Sequence, residues 1–287
     1  MKKHAAYAAF IASMLIFGTV GLLRRALPVP SGLLAFVRGG LGALFILLFA
    51  RLTGRKLFHG IGRKKVLGLI VIGAVMGVNW ILLFEAYNHT SVSTATLCYY
   101  MQPVILILVS PLLFKEKMTV RKALCAAAAV LGMVLVSGVT EGAVTGQLGI
   151  LLGLAAAVFY AGVIISNKLL PVPDPYEKTF WQLLGAACAM VPYLLLTGGF
   201  VLPQLDAVGV LLLLTAGLVH TGLAYVLYFG GLPHIPAFSA AVLSYIDPVS
   251  ALLLSALFLG EVLTIPALIG SILIIASAAL AEGRGQK

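Results

Sequence analysis

Residues 244–261 read SYIDPVSALLLSALFLGE, and residues 99–116 read YYMQPVILILVSPLLFKE. The two stretches align at a constant offset of 145 residues. Each is apolar over the length of a helix, and each is interrupted near its start by a polar residue and a proline, Asp247-Pro248 and Gln102-Pro103. The ungapped match extends from Gly77 to Thr119, with identical pairs such as Gly77/Gly222, Phe84/Phe229, Tyr100/Tyr245, Pro103/Pro248, Ser110/Ser255 and Glu116/Glu261. Upstream, FGTVGLLRRALP (17–28) and YAGVIISNKLLP (160–171) agree in pattern only. Self-similarity on this scale means that the chain is built as a repeat.

The surrounding composition sets the medium. Of 287 residues, 61% are hydrophobic and 10% charged, and mean hydropathy is +1.11. A soluble domain carries roughly 25% charged residues, so the expectation is an integral membrane protein. Apolar segments separated by short polar or Pro/Gly breaks predict ten transmembrane helices, at 5–27, 31–50, 66–87, 92–114, 119–138, 147–169, 176–197, 208–230, 236–259 and 263–281. The run after Lys2 and Lys3 is as long as a full span, about 20 residues, and is read as a retained helix. The net charge of +10 does not indicate a nucleic-acid partner, because the cations fall in short clusters between apolar segments. With the N-terminus inside, sixteen of the nineteen Lys and Arg residues lie on the cytoplasmic side, as the positive-inside rule requires. Both termini are therefore expected in the cytoplasm of a multi-pass protein.

Five spans per half is an odd number, so the two copies must cross the membrane in opposite senses. The expected fold is all-α: ten transmembrane helices as two inverted five-helix repeats, 1–140 and 145–283. Inverted repeats are a common plan of secondary transporters, whose substrate sites lie near the midplane beside interrupted helices.

The five-span repeat, the Pro-Val in spans 4 and 9 and the Glu closing each of those spans resemble the EamA-type branch of the drug/metabolite transporter superfamily. LLAFVRGGLGALF with Arg38 resembles that family's second helix, and VHTGLAYVLYF followed by LSYIDPV resembles one of its bacterial subgroups. The resemblance implies a plasma-membrane carrier of small metabolites that does not hydrolyse ATP. Amino acids, sugars, nucleotide precursors and drugs are among the family's cargoes. It also implies a central cavity between spans 3, 4, 8 and 9, with spans 5 and 10 peripheral. The second half lacks a counterpart of Arg38 in span 7.

Several residues are candidates for the transport site. Asp247 is expected near the centre of the hydrocarbon core, where a charge costs about 2.5–3.5 kcal/mol on insertion scales. It is a candidate proton carrier or contact for a cationic substrate group; the alternative is a carboxylate that only bonds backbone freed by Pro248. Gln102 is its counterpart in the first half, and Pro103 and Pro248 are candidate hinges. His220 is expected at the depth of Asp247, where the two form a candidate proton-coupling pair; the alternative is a neutral imidazole bonded to a carbonyl. Arg38 and Glu85, both in the outer half, are read as a structural ion pair, or Arg38 as the anchor of a substrate carboxylate. Asn79, Trp80, Tyr99 and Tyr245, on the implied lining spans, complete the expected substrate-binding set.

Cys98, Cys125 and Cys188 lie within apolar segments and form no ligand spacing; no metal site and no cofactor is expected. Hydrolase and zinc motifs are missing from the sequence, so an enzyme is not expected. The leading reading is a secondary transporter of a small metabolite, such as an amino acid or drug-like solute, exporting by alternating access with protons as the coupling partner. A flippase for an amphiphilic or lipid-linked substrate is the alternative.

Overall fold

The computed structural model describes residues 3–58, 61–114, 119–136, 146–170, 172, 174–200, 204–235, 243–244 and 246–282. Among these residues there are helices and no strands. In chain order they are α1 (Lys3–Gly18), α2 (Val20–Ala26), α3 (Ser31–Leu52), α4 (Arg63–His89), α5 (Val92–Tyr99), α6 (Gln102–Phe114), α7 (Val120–Val136), α8 (Gln147–Leu169), α9 (Pro175–Thr197), α10 (Ala207–Gly217), α11 (Ala224–Gly231), α12 (Ile246–Leu259) and α13 (Ile265–Glu282). A wide π-helical segment, Leu218–Leu223, joins α10 to α11.

Among the described residues, six helical stretches are long and apolar enough to cross a membrane: His4–Ala26, Ser31–Leu52, Arg63–His89, Gln147–Asn167, Pro175–Thr197 and Ala207–Gly231. Shorter apolar helices accompany them, including Ile246–Leu259 and Ile265–Ser277. Local chemistry marks several ends. Asp174 caps α9 through the amides of Tyr176 and Glu177, with Pro175 in the first turn where its missing N–H costs nothing. Asp206 caps α10 through Gly209 N, and Gly198 ends α9 with φ +64°.

Radial order is inverted relative to a soluble protein. Leu67, Leu112, Leu195, Leu196 and Leu257 are exposed, whereas Arg38, Asn79, Gln102, Gln182 and His220 are buried. Close approach relies on small residues, as expected where helices gain nothing by hiding apolar surface from lipid. A Cβ on Gly73 would lie 2.1 Å from the carbonyl oxygen of Gln182, so α4 and α9 touch backbone to backbone there.

Helix contacts pair up when the first five apolar segments are exchanged for the last five. α4 packs on α8 as α11 packs on α1; α9 packs on α4 as α3 packs on α10 and the π segment; α5 and α6 pack on α8 as α12 packs on α1 and α2. The contacts of α3 with α9, α5 with α12 and α7 with α13 map onto themselves. α7 and α13 lean mainly on each other.

Candidate functional site

Three irregularities of the helices are linked to one another and to Asp247 of α12. The first is Thr19, between α1 and α2. The second is the turn at Tyr100-Met101 between α5 and α6. The third is the π segment. Polar contacts link them. Tyr100 Oη donates to Asp247 Oδ2 at 2.6 Å, tying the second break to α12. A Cβ on Gly18 would sit 2.2 Å from Ser250 Oγ and 2.9 Å from Asp247 O, so the end of α1 lies against the first turn of α12. Thr19 Oγ1 is 2.7 Å from His220 Nε2, tying the first break to the third. Irregular backbone inside a membrane persists only where protein or a cavity satisfies it.

The break in the first half differs from an interior proline kink. Pro103 falls in the first turn of a new helix, α6. No intrahelical donor is missing at that position. The side chain of Pro103 lies outside the described residues, as does all of Tyr245.

The π segment serves two side chains. Its widened turn leaves carbonyls five residues back for them: His220 Nδ1 lies 3.2 Å from Thr215 O, and Thr221 Oγ1 donates to Ala216 O at 2.9 Å. Such wide turns recur at functional positions. The Thr221 hydroxyl then accepts from Arg38 Nε at 3.0 Å. Arg38 is 5% exposed. Its guanidinium carbon lies 4.7 Å from the centre of the Trp80 ring and 5.2 Å from that of Phe84.

Two expected pairs do not form. Glu85 accepts from Asn88 at 3.1 Å and stands 3.9 Å from His89 Nε2, at the exposed end of α4. Consecutive helical residues point about 100° apart, so a helix that turns Phe84 toward Arg38 turns Glu85 away from it. His220 and Asp247 also take separate partners, Thr19 and Tyr100. The other candidates are placed as follows. Asn79 is 1% exposed, donates to Ala156 O at 2.6 Å and accepts from Tyr99 Oη at 3.4 Å, which makes it a tie between α4, α5 and α8. Tyr99 stacks on Tyr160, with ring centres 5.0 Å apart. Gln102 is buried at the head of α6.

Thr19, Tyr100, Tyr160, Thr221 and Glu261 escaped the reading of the sequence as site residues. Glu261 was visible only as half of a repeated Glu116/Glu261 pair. Gly260 ends α12 with φ +66°, a conformation that suits glycine. The chain turns there, and Glu261 reaches the start of α5. Its Oε1 accepts from Val92 N at 2.6 Å; its Oε2 accepts from Ser93 N at 3.0 Å and Ser93 Oγ at 2.7 Å. Ser91 Oγ takes the amide of Thr94, and Ser91 O that of Ala95. Three donors of the first turn of α5 that lack a helical partner, the amides of Val92, Ser93 and Thr94, thus have acceptors. A cavity of about 160 Å³ opens beside this clamp, bordered by Ser91, Thr94, Leu252, Glu261 and Ser271.

The model of the EamA-like transporter family matches residues 4–138 and again residues 147–282. The chain belongs to that family. It is accordingly a multi-pass membrane transporter of small solutes and not an enzyme. Over 99% of its length, this EamA-like chain is 28% identical to the uncharacterized transporter YxxF of Bacillus subtilis (strain 168), covering 92% of that protein. It is 29% identical to the biotin transporter of Escherichia coli (strain K12), over 79% of this chain and 75% of that one. A solved crystal structure superposes with a TM-score of 0.65 at 20% identity, over 99% of this chain and 100% of the other. That likeness concerns the fold.

Proposed function

We propose that this EamA-like protein is a secondary active transporter that exports a small metabolite across the plasma membrane by alternating access, with protons as the coupling ion. In this reading the chain forms ten spans as two inverted five-helix repeats, 1–140 and 145–283, with both termini in the cytoplasm. The paired helix contacts and the double family match support the repeat.

One observation carries the mechanism: the 2.6 Å hydrogen bond from Tyr100 to Asp247, which joins the interruption between α5 and α6 in the first half to α12 in the second. Its length is that of a hydroxyl bonded to a carboxylate, about 2.5–2.7 Å. A proton arriving on Asp247 replaces this charge-assisted bond with a weaker neutral one. The contact between α5 and α12 is then free to part, and the repeats rock about the site. The switch lies where α5 and α6 are already interrupted, so the movement on that side breaks few backbone bonds.

Proteoliposomes holding a pH-sensitive dye, challenged with pooled metabolites, test this. Biotin belongs in the first pool, since a relative is named as its transporter. Asp247→Asn is expected to lose substrate-dependent proton movement while retaining exchange of unlabelled for labelled solute. Proton movement equal to that of the parent protein removes Asp247 from the coupling step.

A further inference from the structure

We propose that Arg38 is the anchor for a single carboxylate on the transported solute, so that the substrate is an organic monocarboxylate. The proposal rests on the transporter reading and names the chemistry of its cargo.

Arg38 is a buried cation without a counterion: among the described residues no carboxylate comes within ion-pair distance of it. An uncompensated charge in a low-dielectric interior is costly, and within membrane helices such residues mark substrate paths. The rings of Trp80 and Phe84 lie against the guanidinium at 4.7 and 5.2 Å. They stabilise the cation, but they do not neutralise it. Of the five N–H donors that an arginine carries, only the one on Nε is used among the described residues, by Thr221.

The orientation is fixed. Thr221 Oγ1 spends its own proton on Ala216 O, so it meets Arg38 purely as an acceptor. That acceptor is held by the π segment. Nε is therefore pinned, and Nη1 and Nη2 remain as a fork at the opposite end of the group. A planar carboxylate takes such a fork through two parallel bonds. One guanidinium balances one negative charge, so a dianion would enter with a charge left over.

The test is equilibrium binding to the purified protein in nanodiscs. The probes are acid and amide pairs that differ only at the carboxylate: biotin and biotinamide, phenylacetate and phenylacetamide, indole-3-acetate and indole-3-acetamide, with succinate as the dianion. In at least one pair the acid is expected to bind about 30-fold or more tighter than its amide, the scale expected of a desolvated charge pair. Arg38→Gln is expected to erase that preference, and succinate to bind no better than the best monoacid. If Arg38→Gln does not fold, Arg38→Lys and Thr221→Val replace it. The first keeps the charge without the fork and the second frees the fork, and each is expected to cut the preference about tenfold. The proposal is overturned if no acid separates from its amide, or if the preference survives these substitutions. Flux of a neutral solute with no acid preference would overturn it while leaving transport intact. Acid selectivity without any flux would instead remove the transport reading alone.

Discussion

Replacing Glu261 isolates the clamp between the end of α12 and the start of α5. In Glu261→Gln one side-chain oxygen remains to accept from Val92 or Ser93, and an NH2 group is turned toward the other donor. The carboxylate holds three donors, at 2.6, 3.0 and 2.7 Å. Hydrogen bonds to charged groups contribute about 1.5–3 kcal/mol each, but these share a single group and are not additive. A loss of about 2–3 kcal/mol is expected, equivalent to about 30- to 150-fold in an opening equilibrium. Amide hydrogen exchange reads that equilibrium directly when opening is local. In nanodiscs, the amides of Val92 and Ser93 are expected to exchange about 30- to 150-fold faster in Glu261→Gln than in the parent. Thr94 and Ala95 keep their acceptors on Ser91, so they serve as controls within the same helix and are expected to change far less. Glu85→Gln, at the exposed end of α4, is expected to leave all four amides alone. The clamp would be refuted by unchanged exchange at Val92 and Ser93. A uniform acceleration along α5 would also refute it, because it would mean that the substitution had loosened the whole helix.

Three further outcomes follow from the packing. Gly73→Ala places a methyl group 2.1 Å from Gln182 O; separating α4 from α9 is expected to cost about 1–3 kcal/mol, seen as a lower thermal unfolding midpoint, and an unchanged midpoint contradicts the backbone contact. Arg38→Ala and Glu85→Ala are expected to add within about 0.5 kcal/mol, because the two side chains serve different partners; a double variant costing clearly less than the sum would restore the ion pair. Asn79→Ala is expected to lower stability by about 0.6–1.7 kcal/mol, the range of polar contacts between membrane helices, since it removes the bond to Ala156 O. A stability equal to the parent's with solute binding lost would instead make Asn79 a substrate ligand.

The sequence suggests where along an apolar run a helix breaks, but not which way its side chains turn. A charge and a proline in an apolar run suggest where a helix is interrupted, and the 145-residue repeat carries that pattern twice. In the first half the interruption is found at Tyr100-Met101. Which way each side chain turns depends on packing across the fold. Glu85 was expected to reach Arg38 because both lie in the outer half, yet Phe84 takes that face and Glu85 is carried round to Asn88. His220 was matched to Asp247 by depth alone, but the π segment turns it to Thr19. Nothing in LVHTGL marks a widened turn, since the same residues suit an α-helix, and the width is visible only through the carbonyls that His220 and Thr221 occupy. Glu261 is the instructive case. Its repetition as Glu116 signalled a shared role, and its polarity at the end of an apolar helix signalled a need for donors. The donors are the first amides of α5, nearly 170 residues away in the chain. A repeat identifies both ends of such a contact without joining them, because the joining depends on how the two copies pack against each other.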